Sequence, residues 1–247
     1  MKTIGIIGGI GPSSTLKYYE WLNAGVMKAL GDNHSAKIIL TSLDGAEVDD
    51  FRRAVDDDGE GRYYAREAQK LEQAGADFII IASNTSHKNV PYIEEAVSIP
   101  LLHLADVTAR RVAEAGVRKV AVLGTAYILE HDFYTSRLSA AGLVVLIPRK
   151  SDRVFMNDAV NGDLYANIVR PDIVAGFEKI LKDMKAAGAE GAILGCTELT
   201  LLGLKDGNPL PLFDTARIHV EAALDYALER LPLPAPSRQM KAPPQPA

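Results

Sequence analysis

Ala187–Leu199 reads AGAEGAILGCTEL, and Ala74–Thr85 reads AGADFIIIASNT; laid over each other from Ala187 and Ala74, the two match without a gap. Ala-Gly-Ala repeats, Asp77 falls on Glu190, one apolar run falls on the other, and Ser83 falls on Cys196, 113 residues later. Further echoes follow in the same order at nearly that distance. Ile4-Gly5-Ile6-Ile7-Gly8 resembles Val120-Ala121-Val122-Leu123-Gly124, Tyr18 pairs with Tyr134, and Pro100-Leu101-Leu102 resembles Pro211-Leu212-Phe213. Any single pair is what two buried strands look like. Four in one order read as a duplication, giving two similar lobes that would present Ser83 and Cys196 to each other across a cleft.

The rest of the chain alternates strand and helix signals. Thr3–Ile7 is a continuous apolar run ending in Gly8-Gly9, as in a strand covered on both faces. A tight turn with Pro12 at a first-turn position leads into a helix over Leu16–Leu30. Strands are expected at Ile38–Leu40, Phe78–Ala82 and from Leu101, with helices over Gly61–Gln73, His87–Ala96 and Asp106–Ala115. The cycle restarts with strands at Lys119–Leu123, Leu143–Ile147, Ala192–Leu194 and Leu210–Phe213, and helices over Glu130–Ala141, Pro171–Ala187 and Thr215–Arg230. Two polar stretches, Ser42–Glu60 around Arg52 and Arg149–Arg170, are candidate lids, the first read as a long loop or a short helix.

This alternation predicts an α/β protein of two pseudo-symmetric lobes, each a parallel sheet of about four strands flanked by helices, with the active site between them. The expected division is 1–105 with 215–230, then 106–214. From Leu231 onward, six of the thirteen prolines fall in seventeen residues, which reads as an extended or disordered tail. Ligands of parallel sheets bind beyond the C-terminal strand ends. Small polar groups stand at five of those ends: Gly8-Gly9, Ser42, Ser83-Asn84-Thr85, Gly124-Thr125 and Gly195-Cys196-Thr197.

Composition narrows the function classes. The 247 residues are 47% hydrophobic and 24% charged, with a net charge of −5 and no basic stripe, which argues against a nucleic-acid partner. Cys196 is the only cysteine, so no internal disulfide forms and a reducing compartment is expected. No apolar run approaches the roughly 20 residues of a membrane span, and MKTIGIIGG runs straight into a strand, so a cytoplasmic location is expected. The five histidines show no metal spacing, and no metal site is predicted. Gly9-Ile10-Gly11 lacks the third glycine of a dinucleotide fingerprint, with Ser14 in its place; such a turn can instead receive a carboxylate.

Cys196, placed between a buried strand and the opening of a helix at Thr197-Glu198, is expected to feel backbone dipoles that favour its thiolate. Glu198 reads either as a helix cap or as an acid, Asp44 as a turn residue, and His87 as a structural histidine.

At Ser83-Asn84-Thr85-Ser86-His87 and Gly195-Cys196-Thr197-Glu198-Leu199 the chain resembles the aspartate/glutamate racemase family. Gly8-Gly9-Ile10-Gly11-Pro12, Gly124-Thr125 and Phe213-Asp214-Thr215-Ala216 carry the likeness further, from Met1 to about Arg230. The resemblance implies a cofactor-independent racemase of two pseudo-symmetric lobes, usually a homodimer, that holds a small amino-acid substrate with Ser83 and Cys196 on opposite faces of its α-carbon. It also implies substrate contacts near Ile10 and Thr125. The chemistry asks for such a pair: inverting a stereocentre means removing the α-proton from one face and returning a proton to the other. The carbanion must be stabilised electrostatically, with backbone amides and the Asn84, Thr85 and Thr197 side chains as donors around the α-carboxylate. Arg52, with Arg53 as its rival, is the candidate for a distal carboxylate.

Most relatives have cysteine where this chain has Ser83, and a serine hydroxyl is a poor α-proton base without a strong neighbour. Cys196 is therefore expected to be the principal base and Ser83 the weak opposing partner, as in family members with a hydroxyl residue in the first motif. A single-cysteine decarboxylase or isomerase on the same scaffold is the alternative. So is a racemase impaired by a cysteine-to-serine replacement, natural or engineered, or an amino-acid-binding regulator that kept the pocket.

Overall fold

The computed structural model describes residues 1–204 and 208–234. The chain divides into two compact units, Met1–His103 with the chain from Val220, and Leu104–His219. In the first, β1 (Ile4–Gly8) leads into α1 (Pro12–Leu30), and β2 (Ile38–Ser42) into α2 (Gly45–Arg53) and α3 (Asp57–Gln73). Then come β3 (Phe78–Ile81), a 3₁₀ turn (Thr85–Asn89) and α4 (Val90–Ala96). In the second, α5 (Leu104–Glu114) precedes β4 (Lys119–Leu123), α6 (Ala126–Glu130), α7 (Asp132–Ala140), β5 (Val144–Leu146) and α8 (Lys150–Ala159). A π-helical turn (Val160–Leu164) precedes α9 (Pro171–Ala186), β6 (Gly191–Leu194), a 3₁₀ turn (Thr197–Leu202) and β7 (Leu212–Asp214). Helix α10 (Thr215–Ala227) begins in the second unit and ends in the first.

Both sheets are parallel, in the orders β2-β1-β3 and β5-β4-β6-β7. The repeat in the sequence reappears in the backbone bonding. Asp77 N–H donates to Thr3 O and Glu190 N–H to Lys119 O, both at 2.8 Å. Ile79 N–H donates to Pro100 O and Ala192 N–H to Pro211 O, both at 2.9 Å. The aligned carboxylates do the same job at the start of the central strands. Asp77 Oδ2 accepts from Thr3 N–H at 2.6 Å, and Glu190 Oε2 from Lys119 N–H at 3.1 Å. Tyr18 and Tyr134 are both fully buried. Each unit is thus one copy of a common strand plan.

The copies differ at one edge. The strand expected from Leu101 is a single parallel bridge to Ile79; the chain passes Pro100, which has no N–H to add to the ladder, and soon enters α5. The first sheet therefore has three strands where about four were expected.

Sheets covered on both faces need apolar strands, and all five residues of β1 and all four of β3 are buried. Each fully buried leucine or isoleucine contributes roughly 1.5–3 kcal/mol from apolar burial. At the end of β1 the chain turns at Gly9 with φ +93°, and a Cβ there would meet the Leu43 carbonyl oxygen at 2.2 Å. Only glycine lets β1 and the segment after β2 approach so closely.

The polar stretch after Ser42 forms two helices, each opened by an aspartate cap. Asp44 accepts from Ala46 N–H at 2.9 Å, and Asp56 from Gly59 N–H at 2.8 Å. The single helix expected over His87–Ala96 is a 3₁₀ turn followed by α4, because Pro91 cannot donate into a continuous α-helical ladder. Arg149–Arg170, read as a candidate lid, is largely helical: α8 followed by the π-helical turn. No helix among the described residues is long and apolar enough to cross a membrane. The expected Pro-rich tail lies, from residue 235 onward, outside the described residues.

Candidate active site

In the first unit, β3 ends at Ser83-Asn84-Thr85. Ser83 and Thr85 are half-buried and Asn84 is buried. Ser83 Oγ accepts from Ser86 Oγ at 3.0 Å, Ser86 Oγ lies 2.7 Å from Tyr64 Oη on α3, and His87 Nδ1 lies 2.8 Å from Ser83 O. His87 thus serves as a structural clasp for this turn. Ile10, partly buried, follows the neighbouring strand β1 and packs on the core of this unit. The preceding amide, Gly9 N–H, is already taken by Thr15 Oγ1 at 2.9 Å, so it is not available to a carboxylate.

The two arginines separate. Arg53 is 72% exposed and pairs with Asp50. Arg52 turns inward: Nη2 lies 3.3 Å from Glu60 Oε1, Nη1 lies 3.9 Å from Asp49, and Nε is buried without a hydrogen-bond partner among the described residues. Glu60, absent from the sequence expectations, is the centre of this arrangement. Its side chain is fully buried, and Oε1 also accepts from Asn89 Nδ2 at 3.0 Å. Lys88 Nζ stands 2.8 Å from Oε2, an ion pair off the hydrogen-bond axis, and 2.6 Å from Asp57. Arg52 is thereby joined to the turn that follows Ser83. The signal for Glu60 was present: Glu60, Tyr64, Ala68 and Leu71 recur at helical spacing on the buried face of α3.

In the second unit, β4 ends at Gly124-Thr125 and its neighbour β6 at Gly195-Cys196-Thr197, tied together by Gly195 N–H to Leu123 O at 2.7 Å. Thr125 occupies the N-cap position of α6 without a capping bond, and its Oγ1 is buried with no partner among the described residues. Thr197 is buried, and its hydroxyl donates to Glu198 Oε2 at 3.0 Å. The Cys196 thiol donates to the same oxygen at 2.7 Å.

That contact overturns the expected charge state of Cys196. Burial first, and then the Glu198 carboxylate as charge and as hydrogen-bond acceptor, push the thiol well above its ordinary value. The amides of Glu198 and Thr197 pull it down, as a helix opening should, but they are outweighed. Cys196 is only partly exposed, and it rests as a thiol beside an acceptor. Glu198 folds back on the sulfur through the 3₁₀ turn and does not cap its own helix. Glu198→Gln removes the negative charge and keeps an acceptor, so the pH midpoint for alkylation of Cys196 by iodoacetamide should move down. An unchanged or higher midpoint would contradict this account of the thiol.

Ser83, Asn84, Thr85, Ile10 and Arg52 thus belong to the first unit, and Thr125, Cys196 and Thr197 to the second. Sequence reasoning missed Glu60, Tyr64 and Ser86.

Residues 7–223 match the family model described as Asp/Glu/Hydantoin racemase. A broad specificity amino-acid racemase of Bacillus subtilis (strain 168), RacX, is 25% identical over 217 residues, covering 86% of this chain and 92% of that protein. The crystal structure of a candidate Asp/Glu racemase from Yersinia pestis is 39% identical, with a TM-score of 0.88, covering 92% of this chain and all of the other. An aspartate racemase homologue from Pyrococcus horikoshii OT3 is 32% identical, with a TM-score of 0.82 and the same coverage of both chains. With two parallel-sheet units carrying polar turns at equivalent strand ends, and a match across nearly all of the described residues, the chain belongs to the Asp/Glu/hydantoin racemase family and is an isomerase.

Proposed function

We propose that this chain racemises small amino acids without a cofactor, acidic ones foremost, with Cys196 and Ser83 serving opposite faces of the α-carbon. The observation that carries the reading is the thiol of Cys196 held 2.7 Å from Glu198 Oε2 at a strand end. Glu198 takes the thiol proton, and the sulfur then removes the α-proton on its face. On the other face Ser83, the matching strand-end residue, delivers a proton. Asn84, Thr85 and Thr125 are the donors around the α-carboxylate, with Ile10 against the substrate and Thr197, whose hydroxyl is held by Glu198, beside it. The buried Oγ1 of Thr125, without a hydrogen-bond partner among the described residues, supports its place there.

Arg52 receives the distal carboxylate. Its contact with Asp49, itself 65% exposed, is long at 3.9 Å, so a substrate carboxylate displaces it easily. The chain works as a cytoplasmic homodimer. The exposed stripe of Leu16, Tyr19, Met27 and Leu30 along one face of α1 supports a subunit contact. Among the described residues Ser83 Oγ is paired with a hydroxyl, that of Ser86, and not with a carboxylate or thiol, which favours one second reading, a single-cysteine decarboxylase that needs only one proton carrier.

Incubating the protein with L- and D-amino acids in heavy water, followed by proton NMR and chiral chromatography, tests these readings together. Loss of the α-proton signal with appearance of the opposite enantiomer, strongest for aspartate or glutamate, is the expected result. Carbon dioxide release from a malonate-type acid without inversion of any amino acid would establish the second reading. Ligand-dependent thermal stabilisation with no exchange would leave only a binding protein.

A further inference from the structure

A serine alone is a poor acid as well as a poor base, because the alkoxide it would leave is far less stable than a thiolate or phenolate. Ser83 is not alone. Its Oγ accepts from Ser86 Oγ at 3.0 Å, and Ser86 Oγ lies 2.7 Å from the phenol of Tyr64. Ser86 and Tyr64 are fully buried, whereas Ser83, at the open end of this row, is half-buried. Because Ser83 accepts from behind, its own hydrogen is left for whatever lies in front. Resting on the racemase reading above, we propose that Tyr64, acting through Ser86, is the proton reserve for Ser83: the group that ionises on this face is a buried phenol two hydroxyls away.

The transfer balances along the row. As the carbanion takes the Ser83 proton, a C–H bond forms and the Ser83 O–H breaks. Ser83 regains a proton from Ser86, and Ser86 gains one from Tyr64. The negative charge ends on the phenol oxygen, and no alkoxide is formed. After product leaves, water returns a proton by the same route. The charged neighbours of Tyr64 are Arg52 and Lys88, which favour the phenolate, and Glu60, which opposes it. Burial keeps the phenol protonated, so the row gives a proton more readily than it takes one. Tyr64 and Ser86 are thus positioning residues for Ser83, and they concern only that face.

This singles out one pair of rates. Exchange of the α-proton that faces Cys196 does not use the row. Inversion in either direction does, because both enantiomers must pass the Ser83 step. Tyr64→Phe should lower inversion at least about tenfold relative to exchange on the Cys196 face. In a Ser83→Cys background the added thiol carries its own acidity, so the same substitution should cost less than about twofold. Ser86→Ala cuts the row while leaving the Tyr64 ring in the core, and should repeat the Tyr64→Phe result if that variant folds poorly. Inversion and exchange falling together, in both backgrounds, would show a purely structural role and overturn the proposal. So would unchanged inversion in Tyr64→Phe or Ser86→Ala. Failure of the unmodified protein to exchange or invert any amino acid would instead remove the racemase reading, and the relay with it.

Discussion

With Cys196 replaced by alanine, α-proton exchange and inversion both fall by at least about 10³-fold, the scale on which a positioned general base contributes. The thiol is the only one in the chain, and the Glu198 carboxylate beside it cannot substitute. Its oxygen lies 2.7 Å from the sulfur, on the side occupied by the thiol proton, and Thr197 also donates to it. Removing the sulfur leaves no carrier on that face, and inversion requires both faces. Denaturant unfolding of the variant checks that the fold survives. Residual exchange within about tenfold of the unmodified protein would mean that another group, Glu198 or a water it activates, is the base.

The largest effect on stability is expected at Glu60. Glu60→Ala leaves Arg52 and Lys88 facing each other without the anion that joins them, and breaking a buried ion pair from one side costs about 3–5 kcal/mol. By contrast, Arg53→Ala should cost under about 1 kcal/mol, since that pair with Asp50 is more than two-thirds exposed on both sides. Urea unfolding at neutral pH measures both. Glu60→Gln offers a middle case: it keeps an acceptor for Asn89 and loses the charge. A cost for Glu60→Ala no greater than that for Arg53→Ala would show that Glu60 is not what holds α3 to the turn after Ser83.

The strand plan was legible because burial on both faces writes itself as unbroken apolar runs, and because the copy at Ala187 repeats the one at Ala74. Ser83 and Cys196 could be picked out since the repeat places both just after such a run. Helix α2 and the first turn of α3 were not: their starts depend on the Asp44 and Asp56 caps, and aspartate serves turns as readily as caps. Nothing in the sequence assigned Tyr64 or Ser86 a role. Their meaning comes from α3 packing beside the end of β3, a contact between segments about twenty residues apart. The charge state of Cys196 was misjudged for a related reason. The sequence showed the amides of the coming turn but not the carboxylate that the 3₁₀ geometry folds back onto the sulfur.

The central claim is that a strong base serves one face of the α-carbon and a hydroxyl serves the other. Initial rates of α-proton loss from L- and D-aspartate, measured separately by proton NMR in heavy water before inversion accumulates, test it most directly. The enantiomer whose hydrogen faces Cys196 should lose it much faster than its mirror image, while kcat/KM for inversion stays equal in the two directions because the two enantiomers have the same free energy. Equal rates of proton loss from the two enantiomers would contradict the account.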